Sequence, residues 1–429
     1  MQWAFLATGM LLLIALPHST GFDGAERYRA LVHLLQGTVS PVKYSMVGPL
    51  FALPLMGLGA IIRNPVGITA SFNTFVLLLG MCVLYVALVR RLAPEVVRSF
   101  LLILLFGSMM PAHALVFYGE MFTAVAIACG SALVVLAGVS SGWVWMLLGV
   151  ANVPMAIVGY GLLTVRRALH TKRLRILILP LVAIALILLE SKLRRGGFLL
   201  SGYAGEHGKA SVLPYTASEG FHFPLVVGFL SLTLSFGKGI LFFAPGLLAV
   251  PSFLRSSTDA AVRHLLELWM WFVLGLLLVV SMWYSWQGGW FWGPRFLLVA
   301  VFPASLALAW QVHRVRTLPG CIGTLVLLLL SFWVGFSGLI FNQRDMGLCL
   351  MDKARLEPLC WYTPEFSALG RPFVTGSLFH MNPFELGIAI LWTGAFFCTA
   401  WPVLVNLRLL IPDILRTAWA KAGRNKWRI

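Results

Sequence analysis

The sequence predicts an all-α polytopic membrane protein, read as one embedded unit over residues 1–429, and three observations carry that prediction. Hydrophobic residues make up 59% of the chain and charged residues only 11%, whereas soluble domains carry about 25% charged residues. Apolar runs of roughly 17 to 25 residues recur along the whole length, each enough to cross a hydrocarbon core of about 30 Å. The formal net charge of +17 is gathered in short clusters at the ends of those runs. Clusters of that kind mark cytoplasmic loops and suit an anionic inner leaflet, so the charge is not a nucleic-acid footprint. No polar stretch is long enough to form a separate soluble domain.

Keeping every basic cluster inside orders the elements. The opening run "MQWAFLATGMLLLIALP" lacks a basic leader and a small-residue cleavage site, so it reads as a retained first helix leading outward. The stretch 44–62 and the helix 72–90 cannot both cross, because Arg63, Arg90 and Arg91 would need the same side. Pro49, Pro54 and three glycines make 44–62 the weaker helix, which places it along the outer face. The next helices are 97–113 and 120–139, followed by "WVWMLLGVANVPMAIVGYGLL" at 143–163. That segment begins and ends at basic loops, so it reads as two short helices turning at Asn152 and Pro154, tolerated where a broken helix lines a cavity. Segments 174–190, 238–252, 265–283, 295–310, 320–341 and 386–408 complete a bundle of about ten to twelve transmembrane helices. Both termini are then cytoplasmic, the tail carrying Arg408, Arg416, Lys421, Arg424, Lys426 and Arg428. The outer loops are 18–71, with interfacial helices, then 110–119, 191–237, 284–294 and 342–385. The inner loops are short and basic, so any chemistry is expected outside.

The polar residues of those outer loops are the candidates for function. In "GFDGAERYRALVHLLQG", Asp23, Glu26, Arg27 and His33 share one helical face, and Tyr28, Leu31, Val32 and Leu35 the other. This describes an interfacial helix with its charges toward water or a cavity. The plainer alternative is a solvated helix with an Asp23–Arg27 pair worth a few tenths of a kcal/mol. Glu120 stands at the start of an apolar helix, where the helix dipole offsets part of its cost, and helix capping is its alternative. Lys238, between Gly237 and Gly239, suits a phosphate approaching the backbone or snorkels to headgroups. "WYSWQGGWFWGPRFLL" puts Trp286 and Trp290 beside a Gly-Gly turn and Arg295, a combination that suits a sugar phosphate. An interfacial aromatic belt explains the tryptophans but not the turn or the arginine. Cys82, Cys129, Cys321 and Cys398 lie in apolar runs as packing residues. Cys349 and Cys360 share one polar outer loop and are disulfide candidates. No CxxC, HExxH or Walker pattern occurs.

The ordered set "FDGAERYRAL", "KYSMVGPLFALPL", "FYGEMFTA", "FGKGILFFAPG" and "WQGGWFWGPRFLL" resembles bacterial GT-C glycosyltransferases. These are integral membrane enzymes using polyprenyl-phosphate sugars, among them the protein O-mannosyltransferase-like and aminoarabinose-transferase-like groups. The resemblance covers most of residues 1–310 and rests on the order of short motifs. It implies a GT-C-like bundle and inverting sugar transfer to a hydroxyl acceptor at the outer face of the cytoplasmic membrane. Asp23 maps onto the general base and Glu120 onto a carboxylate before the fourth helix, while Lys238 and Arg295 map onto residues holding the lipid phosphate. Glu26, Arg27, Lys43, Tyr44, Trp286 and Trp290 are expected to bind substrate. The implied partners are a polyprenyl-phosphate sugar donor, a lipid, glycan or protein acceptor, and membrane lipids. Asp23 is followed by Gly24 rather than a second acid, which leaves the metal question and the acceptor open. No cofactor is required by the sequence.

Two other classes stay open. A lipid-linked glycan flippase or exporter would also need basic and aromatic residues facing a cavity, though deeper in several helices. An O-antigen-type polymerase or ligase would use a long outer loop, and here 342–385 carries Arg344, Arg355, Arg371 and His380.

Overall fold

The computed structural model describes residues 1–344 and 346–425, with side chains through Leu410. The tail residues Arg416, Lys421 and Arg424 (their side chains), and Lys426 and Arg428 altogether, lie outside what is described. The regular structure of the described residues is helical, with two isolated β-bridges. Among the described residues, seven helical segments are long and apolar enough to cross a membrane, from Pro65–Leu88 to Pro383–Leu410. Shorter or broken apolar helices, including Gln2–Ala15 and Leu225–Leu234, complete a polytopic membrane bundle.

Helix α1 (Gln2–Ala15) leads into α2 (Asp23–Leu35), and 44–62 breaks into two short helices, Val47–Leu50 and Leu53–Ile61. Then come α3 (Phe72–Leu88), α4 (Pro94–Phe106) and α5 (Gly119–Ala132). Proline opens α4, where a missing N–H costs nothing, and every residue from Ser99 to Phe106 is buried, so α4 runs through the core. Helices α6 (Ser141–Asn152) and α7 (Ile157–Thr171) are separated by a turn at Val153, which is extended because Pro154 disfavours helix before it. Asn152 fills the break: its amide donates to the Gly119 carbonyl (2.8 Å) and Thr123 Oγ1 (3.1 Å) and accepts from Gly48 N–H (2.9 Å).

Helix α8 (Ile178–Arg195) belongs to the least buried of the seven spans, and its far end clamps the 40–46 loop. The stretch expected to cross at 238–252 is instead a broken descent. It begins with α9 (Leu225–Leu234), is interrupted at 235–239, and continues through three short helical pieces to Ser256. Helix α10 (Ala260–Met282) is capped by the Asp259 carboxylate on Val262 N–H. Helices α11 (Val301–Arg314), α12 (Leu318–Ile340) and α13 (Pro383–Asn425) close the bundle. Arg91, His313, Arg314 and Arg316, from two separate basic clusters, line one cavity of about 650 Å³, so those loops share one end of the bundle. The core contains the buried Cys129, Cys321 and Cys398, whereas Cys82, expected to pack, is exposed.

Candidate functional site

The site begins where two distant segments lie side by side. Ser19 N–H donates to the Leu115 carbonyl (2.9 Å) and Phe117 N–H to the Ser19 carbonyl (3.0 Å). Asn73, buried at the start of α3, holds the same strand-like segment through the Val116 (2.6 Å) and Tyr118 (2.8 Å) carbonyls. The first residues of α2 and α5 are thereby brought together, and with them Asp23 and Glu120. A Cβ at Gly24 would sit 2.9 Å from the Phe117 carbonyl oxygen. A side chain at this position, a second acid included, would crowd that carbonyl. Phe22, just before, has φ of 51°, a left-handed conformation strained in a residue with a side chain.

Arg295 closes the cluster. Its Nη1 donates to Asp23 Oδ2 at 2.8 Å and lies 3.5 Å from Glu120 Oε1. Its guanidinium lies 3.9 Å from the centre of the Phe291 ring and 5.5 Å from that of Tyr118, both within cation–π range. Burial acts to raise the Asp23 carboxyl, but the Arg295 charge, hydrogen bonds from Tyr44 and Arg295, and the Arg27 charge outweigh it and hold the group below its usual value. Burial and the Asp23 charge push the Tyr44 phenol far up. Tyr44 is therefore a neutral donor and Asp23 an ionised acceptor at neutral pH.

Arg27 departs from the expected face. It turns inward on α2 and is 6% exposed. No Asp23–Arg27 ion pair forms. Arg27 instead donates to the Ser45 carbonyl at 3.1 Å and stacks 4.9 Å from the Tyr44 ring, with no carboxylate partner among the described residues. The rotation follows from Gly24, Arg27, Ala30 and Leu31 forming the buried stripe, while His33 and Leu35 are exposed. Glu26 is half-buried beside it and forms no ion pair among the described residues.

A second layer positions the 40–46 loop. The Glu190 carboxylate accepts from Ser45 Oγ (2.8 Å), Met46 N–H (2.7 Å) and Arg194 (3.0 Å). Arg194 donates to the Tyr44 carbonyl (2.6 Å), and Arg195 to those of Val42 and Lys43 (both 3.0 Å). Lys43 pairs with Glu206 at 2.6 Å, and Tyr284 donates to the same carboxylate at 2.7 Å.

No family model and no curated protein matches the chain in sequence. In structure it is similar to ArnT from Cupriavidus metallidurans, crystallised bound to undecaprenyl phosphate, with a TM-score of 0.50 and 15% identity over 94% of this chain and 77% of that one. The chain shares the polytopic, all-helical membrane fold of that structure.

Within this fold, Asp23, Glu120, Arg295, Arg27 and Tyr44 come together, and Lys43 stands behind Tyr44, 5.5 Å from its ring. Three expected site residues lie elsewhere. Trp286 is a core side chain, 1% exposed and 5.1 Å from the Trp361 ring. Trp290 packs half-buried against the same core. Lys238 Nζ is occupied by the carbonyls of Gly289, Phe291 and Gly293. Its flanking glycines do not admit a substrate: a Cβ at Gly237 would lie 1.9 Å from the Cys360 carbonyl oxygen, and one at Gly239 would lie 2.4 Å from that of Ser235. In the 342–385 loop, Cys349 and Cys360 form a disulfide, their Cα atoms 6.1 Å apart. Arg344 pairs with Glu385, Arg371 stacks on Phe366, and His380 bonds the Gly376 carbonyl, so these three are engaged locally. Sequence reasoning missed Phe291, Tyr118, Glu190 and Arg194. Tyr118 and Phe291 stood inside motifs already singled out, Tyr118 next to Gly119 and Phe291 between two tryptophans. No cluster of three or more His, Cys, Asp or Glu able to hold a metal ion occurs among the described residues.

Proposed function

We propose that the protein transfers a sugar, with inversion, from a polyprenyl-phosphate donor to a hydroxyl acceptor at the outer face of the cytoplasmic membrane. The observation that carries this reading is the buried Arg295 shared by Asp23 and Glu120, beside an Arg27 that forms no carboxylate ion pair among the described residues. Its place where an interfacial helix meets the bundle end suits a lipid-borne anion. ArnT, whose fold is similar, was crystallised with undecaprenyl phosphate, which supports a lipid of that class here.

The chemistry follows from the charges. A phosphate entering the site is met by Arg27, which is bound to the Ser45 carbonyl rather than to a carboxylate, and draws Arg295 from its two carboxylates. As Arg295 is drawn off, burial dominates Asp23 and raises its carboxyl toward the range where it accepts a proton. The acceptor oxygen then bonds the anomeric carbon, and the carbon–oxygen bond to phosphate breaks with its electron pair going to the phosphate. The acceptor proton passes to Asp23, while Arg295 and Arg27 stabilise the charge that develops on the leaving group. Once the phosphate leaves, Glu120 and Asp23 draw Arg295 back to the resting cluster.

The test is mass spectrometry of surface glycans and glycolipids from cells with and without the gene. The reading expects one saccharide substituent to disappear and to return with the wild-type gene but not with the Asp23→Asn form. An unchanged glycan profile together with accumulated intracellular lipid-linked glycan would instead favour a flippase.

A further inference from the structure

Lys238 lies in the break after α9, 6% exposed. Its Nζ donates to the main-chain carbonyls of Gly289 (3.4 Å), Phe291 (2.5 Å) and Gly293 (3.2 Å). An ammonium has three donors, so this one has none left for a phosphate. The carbonyls converge because Gly288, Gly289 and Gly293 have φ of 75°, 69° and 64°, left-handed values that glycine adopts without strain. The same loop carries Phe291, the ring beneath the Arg295 guanidinium, and runs through Pro294 directly into Arg295. It also cups the arginine: a Cβ at Gly288 would lie 3.1 Å from Arg295 Cγ.

On its other side the break is held by the 342–385 loop. Gly237 N–H donates to the Trp361 carbonyl at 2.9 Å, and Gly237 lies directly against the Cys360 carbonyl. Cys360 is in the disulfide with Cys349, both buried. The path therefore runs unbroken from the disulfide, through Gly237 and Lys238, to the loop that aims Arg295 at Asp23.

We propose that Lys238 is a positioning residue that ties the 289–293 loop to the disulfide-bonded 349–360 segment and so sets Phe291 and Arg295 against Asp23, without touching donor phosphate. The proposal rests on the reading of Arg295 as a phosphate-binding residue, and its test separates the two.

Hydrogen–deuterium exchange of the full-length protein in lipid nanodiscs reads the tie without any substrate. Lys238→Met frees three carbonyls from a charged donor, so amides 289–293 are expected to exchange at least about tenfold faster while those of α5 and α12 hold. Unchanged exchange across 289–293 overturns the proposal. If Lys238→Met does not fold, the Cys349→Ala/Cys360→Ala double variant carries the test: amides 235–239 and 289–293 must both exchange faster by about threefold or more, and no change at either overturns the tie. Binding of undecaprenyl phosphate then distinguishes positioning from contact. Lys238→Met is expected to weaken binding about tenfold alone, yet to add nothing to Arg295→Met, because its effect passes through Arg295. Additive losses overturn the positioning role. Wild-type binding by Arg295→Met would refute the phosphate reading of Arg295 and leave the exchange result to judge the tie.

Discussion

Replacing Arg295 by methionine removes the one cation that two carboxylates share. Asp23 and Glu120 expose only 17% and 12% of their side chains, and Arg295 only 8%, so solvent screens the cluster little. Deleting one partner of such a buried group leaves uncompensated charge and costs about 3–5 kcal/mol. Losing the stack on Phe291 at 3.9 Å adds about 0.5–2 kcal/mol, and the two do not add cleanly. Asp23→Asn should cost less, about 1–3 kcal/mol, because Arg295 keeps Glu120 at 3.5 Å. The combined variant is the decisive one. With Asp23 neutral there is one carboxylate rather than two to leave unpaired, so the double change should be about 1.5–3 kcal/mol less damaging than the sum of the singles. The assay is reversible unfolding in mixed micelles followed by tryptophan fluorescence. Additivity within about 0.5 kcal/mol would refute the shared-arginine account.

Three further outcomes follow from the same geometry. Asp23 has a folded value below its ordinary 3.8, so its ion-pair contribution is fully present above that value and is lost as pH falls through the lower, folded one. The stability gap between wild type and Asp23→Asn should accordingly stay flat from neutral pH to about 5 and close only below about 4; a gap closing near pH 6 would contradict the pairing. Gly24→Glu, which restores a second acid, places a Cβ 2.9 Å from the Phe117 carbonyl oxygen and should destabilise by about 1–3 kcal/mol, whereas wild-type stability would show that the segment yields. Peptide mapping under non-reducing conditions should recover Cys349 linked to Cys360 across a sequence separation of 11, a closure worth about 2–4 kcal/mol; two alkylated thiols instead would remove the clamp behind Lys238.

The bundle was legible because membrane insertion acts on residue type alone: apolar length marks the spans and basic clusters mark their ends. Pro154 announced the break between α6 and α7 because it cannot continue a helix. Asp23, Glu120 and Arg295 stood out for the same reason, since a charge in an apolar surrounding needs an explanation. Where the sequence misled, the deciding contact was with main chain or depended on rotation. The Gly24 approach to Phe117 sets how α2 is turned, and that rotation took Arg27 inward away from an i,i+4 partner. Lys238 is bound by carbonyls, which every residue has, so no residue pattern could reveal its partners. Trp286 and Phe291 are both aromatic and five residues apart. Which of them fills the core and which faces Arg295 depends on a glycine turn that spacing does not describe. The clamp from Glu190 and Arg194 joins segments about 150 residues apart and has no local signature.

The central claim is that Asp23 accepts the acceptor proton at a site that binds a lipid phosphate. Its most direct test is to measure donor-lipid binding and sugar transfer side by side in nanodiscs, for wild type and Asp23→Asn, with a polyprenyl-phosphate sugar. The account predicts that Asp23→Asn binds undecaprenyl phosphate at least as tightly as wild type, because a negative charge beside Arg295 is gone, while transfer falls by at least about a hundredfold. Wild-type turnover in Asp23→Asn would contradict the account, and so would a loss of lipid binding that matched the loss of transfer.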